Sequence, residues 1–185
     1  MYWGSRYSRT APVDSGYGPN VHSQATRFDR ALGAGLELVV GCDIVIAAES
    51  ATFGMPEIEI GIPSVIEAAL MVNLIGALRT KEFLLTGDRW DASRAERYGL
   101  INYAVPLPEL LPKAKVVCQR IGQHSRTTVA LQKDLVNRWM TTDLETAIEY
   151  GVNALGIAFT TGDPQEAMQA FLEKRAPRFS WQEQS

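Results

Sequence analysis

Two carboxylates, Glu37 and Glu57, follow glycine-containing turns in a way that suits acid–base chemistry beside a bound oxyanion. Gly33-Ala34-Gly35 is predicted to open a helix, and the first N–H groups of a helix have no intrahelical partner and attract negative charge. Small residues let a ligand approach that backbone, and the Ala34 N–H is the predicted donor. Taken alone, these glycines favour a tight turn without a ligand.

Glu37 falls in the first turn of this predicted helix, where a carboxylate also complements the helix dipole. Its neighbours are apolar, so the helix is expected to be buried nearly all round: Leu36, Leu38, Val39 and Val40. A buried carboxyl has a raised pKa and can act as an acid or a base near neutral pH. Glu57 follows a Gly-x-Pro turn that ends at Pro56, and a solvated loop carboxylate is its plainer interpretation.

The elements that must position these residues are short strands before residue 105 and helices after it. Strands are predicted over residues 42–48, 51–54, 58–60 and 100–105. Helices are predicted over residues 33–41, 64–74, 79–85, 92–98, 109–121, 127–140 and 142–159, and from Asp163 onward. Ser64 to Glu67 and Thr142 to Glu145 fit the capping-box pattern, so we expect Glu67 to complete a cap rather than to take part in a reaction.

The pattern divides the chain into three parts: an irregular tail over residues 1–30, an α/β core over residues 31–106 and a helical region over residues 107–185. The tail mixes aromatic residues, Gly, Pro and Ser with neither a period of 2 nor one of 3.6. An organelle-targeting peptide is the alternative, although the Gly and Pro content opposes the amphipathic helix that such a peptide needs.

Composition narrows the class of protein. The 185 residues are 46% hydrophobic and 21% charged, which is typical of a globular protein, and a net charge of −3 argues against a nucleic-acid partner. The spacing of the cysteines and histidines does not match that of metal ligands: Cys42, Cys118, His22 and His124. The two cysteines are expected to be reduced thiols. We expect no membrane span, because no apolar run approaches about 20 residues, and no secretory signal.

The run from Ala31 to Glu57, ALGAGLELVVGCDIVIAAESATFGMPE, resembles the signature of the enoyl-CoA hydratase/isomerase (crotonase) family. The resemblance continues through residues 85–88, residues 92–100 and Phe171-Leu-Glu-Lys-Arg175, and covers about residues 31–179. It implies an α/β, crotonase-like fold with an N-terminally incomplete ββα spiral core, followed by a helical C-terminal trimerisation region.

The resemblance also implies a chemistry. A CoA thioester is the substrate, no metal or further cofactor is needed, and Ala34 matches a backbone donor to the thioester oxygen. Glu37 and Glu57 match the carboxylates that activate water and deliver a proton across a 2-enoyl double bond. Isomerases of the family often keep the second carboxylate and lose the first, so the presence of both favours hydration, with isomerisation as the alternative.

Further residues match the family's substrate-binding positions: Gly33, Gly35, Pro56, Ser64 and Lys174. Ser64 stands where many hydratases have glycine, in a segment one residue shorter, and is expected to line the water site. Lys174 matches a base that reaches the CoA phosphate, often from a neighbouring subunit, and an ordinary surface lysine is the equal alternative. The resemblance implies a homo-oligomer, either a trimer or a dimer of trimers.

The family pattern is not found in residues 1–30, where a first loop would supply the second oxyanion donor. We therefore expect a truncated family member with a foreign tail, and its activity is open. A second hypothesis is an impaired member that acts only by association with itself or with intact relatives. The final Gln182-Glu-Gln-Ser185 differs from a Ser-Lys-Leu address, and mitochondrial, peroxisomal and cytoplasmic locations are not separated.

Overall fold

The computed structural model describes residues 23–25 and 30–179. These residues form two compact units, one up to Val117 and one from Cys118 onward. The division falls inside a helix, whereas the sequence predicts a boundary at residue 106.

The strands of the first unit are short. In chain order they are β1 (Ser23–Ala25), β2 (Arg30–Leu32), β3 (Ile44–Ala48), β4 (Thr52–Gly54), β5 (Arg89–Asp91) and β6 (Tyr103–Val105). One sheet is parallel throughout, with β3 between β1 and β6; in the other, β4 pairs in parallel with β2 and antiparallel with β5. Residues 45–48 of the central strand β3 are all buried, as expected for a parallel strand covered on both faces.

Short helices pack around these sheets. They are α1 (Ala34–Val40), α2 (Met71–Ile75), α3 (Ala77–Thr86), α4 (Ala92–Tyr98) and α5 (Leu110–Gly122), which runs across the division between the units. Turns of 3₁₀ helix cover Pro56–Ile60, Ile66–Leu70 and Leu107–Glu109. The Ile66–Leu70 turn packs on α1 and the Pro56–Ile60 turn packs on α3.

The first unit has a continuous apolar core that includes Leu36, Phe53 and Met71. Trp90 on β5 is fully buried there, with its ring centroid 4.3 Å from that of Phe83 and 5.1 Å from that of Tyr98. Aromatic pairs at about these distances stabilise the fold by more than the burial of their apolar area alone provides. This core fixes β2, α1 and β4, so that it positions Gly33 after β2, Glu37 on α1 and Glu57 after β4.

The second unit consists of helices α6 (Arg126–Trp139), α7 (Leu144–Phe159) and α8 (Asp163–Leu172), with α7 packed against both others. Ser125, the buried N-cap of α6, accepts from the Thr128 N–H at 3.2 Å and donates to Asp163 Oδ2 at 2.5 Å. In the described part of the chain, no helix has the length and apolar character needed to cross a membrane.

The predicted capping box at Ser64 is wrong. Val65 is the N-cap of the Ile66–Leu70 turn and makes no side-chain cap bond, while the Ser64 hydroxyl donates to Glu57 instead. The predicted strand at residues 58–60 is also wrong. Pro56 presets the backbone angle of a first helical residue and Gly61 ends the turn in the left-handed conformation, so the alternating residues form a 3₁₀ helix.

Other predicted helix ends moved by one or two residues. Asp143, rather than Thr142, caps α7 by accepting from the Thr146 N–H at 3.0 Å. Asp163 is the first residue of α8 rather than its cap. Strand β1 lies within the predicted irregular tail and contradicts that prediction there, and the rest of the tail before residue 30 lies outside the described residues.

Candidate active site

The turn from β2 into α1 depends on Gly33. Its N–H donates to the Gly54 carbonyl at 2.9 Å, and its carbonyl accepts from the N–H groups of Leu36 and Glu37 at 2.8 and 3.1 Å. Its φ is +55°, and a Cβ there would lie 2.5 Å from Glu57 Oε1. The position therefore requires glycine for two reasons, the positive φ and the close approach of the carboxylate.

Ala34 and Gly35 are the first residues of α1, and both are exposed. Their N–H groups precede those of Leu36 and Glu37, which close the first turn on Gly33. No atom lies within 4 Å of a Cβ built on Gly35, so packing does not require glycine there. The role of the Ala34 N–H as an oxyanion donor remains a prediction.

Glu57 lies in the second position of the Pro56–Ile60 turn and is half-buried, as is Pro56. The Oε1 atom of Glu57 faces Gly33, and Oε2 accepts from the Ser64 hydroxyl at 3.4 Å. The carboxylate is thus held at the N-terminal end of α1, where the helix dipole favours negative charge.

Glu37 is only 8% exposed, on the inner side of α1. Burial raises its pKa above the ordinary value, and the negative charges of Glu67 and then Glu57 add to the rise, while a hydrogen bond from the Val65 backbone opposes it. Leu38 is 52% exposed, so α1 is not buried all round as the sequence predicts.

The structure therefore brings Gly33, Glu37, Glu57 and Ser64 together within the first unit. Lys174 belongs to the second unit, just after α8, where it is exposed and adopts a left-handed φ of +55°. Its contact with a CoA phosphate remains a prediction.

Sequence reasoning missed Glu67 as a neighbour of Glu37. It assigned Glu67 to a capping box that does not form, although the residue stands in the apolar run Val65-Ile66-Glu67-Ala68-Ala69. A lone carboxylate among apolar residues is the signal that singled out Glu37, and it applied equally here. Among the described residues, no His, Cys, Asp and Glu side chains group as metal ligands would.

Comparison with known proteins identifies the family. The sequence model of the Enoyl-CoA hydratase/isomerase family matches residues 30–183. A crotonyl-CoA hydratase from Syntrophomonas wolfei is 41% identical over 150 residues, covering 80% of this chain and 58% of the relative. A short-chain-enoyl-CoA hydratase from Clostridium acetobutylicum is 38% identical over 146 residues, covering 78% of this chain and 56% of the relative.

Solved structures share the fold. The crystal structure of an enoyl-CoA hydratase from Bacillus anthracis superposes with a TM-score of 0.78 at 36% identity, covering 81% of this chain and 58% of that one. The predicted α/β, crotonase-like fold with a helical C-terminal region is confirmed. The chain spans less than three fifths of the length of these relatives. It belongs to the enoyl-CoA hydratase/isomerase family.

Proposed function

We propose that the protein is an enoyl-CoA hydratase, adding water to a 2-enoyl-CoA to give a 3-hydroxyacyl-CoA. The observation that carries the proposal is the placement of the Glu57 carboxylate over Gly33, at the start of the helix that carries the buried Glu37. Two carboxyl groups in different environments beside a helix N-terminus suit proton exchange next to an enolate.

In the proposed reaction the oxygen of water bonds to the β-carbon of the enoyl group while one carboxylate takes a proton from that water. The π electrons move to the thioester oxygen, where the Ala34 N–H stabilises the negative charge. The other carboxyl then gives a proton to the α-carbon, so the pair together neither gains nor loses protons. Glu37 and Glu57 are the two carboxyls.

The remaining predicted residues complete the proposed substrate site. Gly33 admits the Glu57 carboxylate to the start of α1, the exposed Gly35 leaves the backbone there open to the thioester, and Pro56 and Ser64 border Glu57. We propose that Lys174, after α8, pairs with a CoA phosphate. The acyl-CoA is the substrate, and the proposed reaction uses no further cofactor.

The proposal is tested by following the loss of enone absorbance from crotonyl-CoA. We expect turnover by the full chain and a loss of roughly 10²–10⁴-fold in Glu57→Gln, because the variant keeps the shape but cannot exchange a proton. Glu59→Gln is the matched control, since Glu59 is an exposed carboxylate on the same 3₁₀ turn. Equal rates in the two variants would overturn the assignment of Glu57.

Isomerisation is the second candidate within the family, and a 3-enoyl-CoA substrate separates the two. An isomerase would produce enone absorbance from it, whereas a hydratase alone would not. The similarity to a crotonyl-CoA hydratase and a short-chain-enoyl-CoA hydratase supports hydration.

We also propose that the chain forms a homo-oligomer, either a trimer or a dimer of trimers. The support is an apolar stripe on α7, all of whose members are exposed: Leu144, Ile148, Val152, Leu155 and Phe159. Residues spaced by three or four along a helix share one face, and exposed apolar patches mark association surfaces. A chain that elutes as a trimer but turns over neither substrate would favour a purely associative role.

A further inference from the structure

We propose that Glu67 is a third carboxylate of the candidate site, a positioning residue that the Ile66–Leu70 turn holds against the helix that carries Glu37 and that acts on the reaction through Glu37. The proposal rests on the proposed acid–base function of Glu37. It concerns a residue outside the two-carboxylate pattern that the family resemblance supplies.

The Glu67 side chain approaches Gly41, the residue that follows α1. A Cβ built on Gly41 would lie 4.0 Å from Glu67 Cγ and 3.6 Å from the carbonyl oxygens of Glu37 and Leu38. The Glu67 side chain is therefore packed against the helix that carries Glu37, and it is half-buried rather than directed into solvent.

The backbone before Glu67 is held in an unusual conformation. Ile66 has a φ of +56°, a left-handed value that β-branched residues rarely adopt. Ile66 gains no burial of its own, since its side chain is 57% exposed, while Ala68 and Met71 after it are buried. The left-handed residue thus turns the chain so that Glu67 and Ala68 face α1, and strain of this kind is concentrated at functional sites.

Among the described residues, the charges that shift the pKa of Glu37 are both negative. Glu67 acts on it more strongly than Glu57 does, and both raise its pKa in addition to the effect of burial. Arg30, the charged residue of the adjacent strand β2, is exposed and is not among the charges that shift Glu37. A negative neighbour favours the protonated form of a carboxyl, so Glu67 moves the titration of Glu37 toward neutral pH.

The test is the titration of Glu37 in the full chain, followed by carboxyl ¹³C NMR with Glu37→Gln to assign the signal. In Glu67→Gln, which keeps the shape and removes the charge, we expect the Glu37 midpoint to move to lower pH. In Glu67→Asp, which keeps the charge, the midpoint is expected to stay closer to the wild-type value. Glu59→Gln is the control for an exposed carboxylate, and we expect no shift in it.

A second readout is the pH profile of kcat/KM with crotonyl-CoA. The limb that Glu37 governs is expected to move to lower pH in Glu67→Gln, with the thermal midpoint of unfolding unchanged. A Glu37 midpoint that does not move in Glu67→Gln overturns the role of Glu67, whether or not the chain is active. A midpoint that moves in Glu67→Gln, in a protein whose wild-type chain hydrates no enoyl-CoA, overturns the proposed function instead.

Discussion

The two units bury different kinds of side chain. In the first, the fully buried residues include large apolar side chains, among them Phe53, Phe83 and Trp90. In the second, the buried residues are mostly small or polar: Ser125, Ala154, Ala158, Asp163, Ala170 and Phe179. The large apolar residues of α7 face outward instead, Leu144 at 78% exposure and Val152 at 63%.

This difference suggests separate roles, in which the first unit positions the site residues and the second associates with another chain. A core that includes large apolar side chains is close-packed and resists compression, so it can hold Gly33, Glu37 and Glu57 in a fixed arrangement. A helix layer that leaves its apolar face exposed lacks the hydrophobic stabilisation of that face until something covers it. We therefore expect substitutions in the first unit to alter chemistry and those on the α7 stripe to alter assembly.

Among the variants that test this difference between the units, the largest effect is expected from Gly33→Ala. The methyl group would meet Glu57 Oε1 and the left-handed backbone would be strained, so both the Ala34 N–H and the Glu57 carboxylate would be displaced. We expect a rate loss of roughly 10²–10³-fold, as for removal of an oxyanion donor. The measurement is kcat/KM with crotonyl-CoA.

Gly35→Ala is the matched control for that variant. Nothing lies within 4 Å of the added methyl group and the position is helical, so folding is expected to be unaffected or slightly improved. If Gly35→Ala raises KM without a loss of stability, a ligand approaches that backbone. Equal unfolding in both variants would contradict the distinction drawn between the two glycines.

Sequence patterns predicted elements best where a single residue type decides their ends. Asp91 caps α4 through a 2.7 Å bond from the Arg94 N–H, and Gly99 ends the helix in the left-handed conformation, both as predicted. The pattern failed at Ser64 because the capping box assumes a local partner, whereas the hydroxyl is used by Glu57, seven residues earlier.

The sequence also predicted the candidate site only in part. Glu37 and Glu57 stand out by their apolar or turn surroundings and by the family resemblance. Glu67 could not be placed beside Glu37, because their approach depends on the packing of the Ile66–Leu70 turn on α1 and on the left-handed Ile66. Neither feature is a local preference of the sequence, since β-branched residues disfavour that conformation.

An intermediate effect is expected from Ile148→Glu in the α7 stripe. If the stripe is covered in an oligomer, the variant loses about 1.5–3 kcal/mol of apolar burial per chain and adds the cost of an unpaired charge. We expect a lower mass by light scattering and a steeper dependence of mass on concentration. The expected rate per folded site is unchanged if the site of the first unit is complete within one chain.

Asn153→Glu adds the same charge on the opposite side of α7, at another exposed position, and is expected to leave the mass unchanged. A loss of mass in both variants would assign the effect to net charge rather than to the stripe. An unchanged mass in both would contradict the proposed use of this face.

The smallest effect is expected at Lys174, where the effect of the backbone conformation on stability can be measured separately from the effect of the side chain on substrate binding. The Lys174 N–H donates to the Phe171 carbonyl at 3.2 Å and the Arg175 N–H to the Ala170 carbonyl at 3.0 Å, a helix ending that favours glycine at the left-handed residue. Lys174→Gly is therefore expected to raise the free energy of unfolding by about 0.5–1 kcal/mol, because relief of the left-handed strain exceeds the added chain entropy.

The side chain of Lys174 is tested by the same variants. If it pairs with a CoA phosphate, both Lys174→Gly and Lys174→Ala raise KM for crotonyl-CoA, and a higher salt concentration reduces the difference from wild type. Lys174→Ala keeps the left-handed strain, so it is expected not to be stabilised. Stabilisation in Lys174→Gly with an unchanged KM in both would make Lys174 an ordinary surface residue, and the second unit would then contribute to the enzyme by association alone.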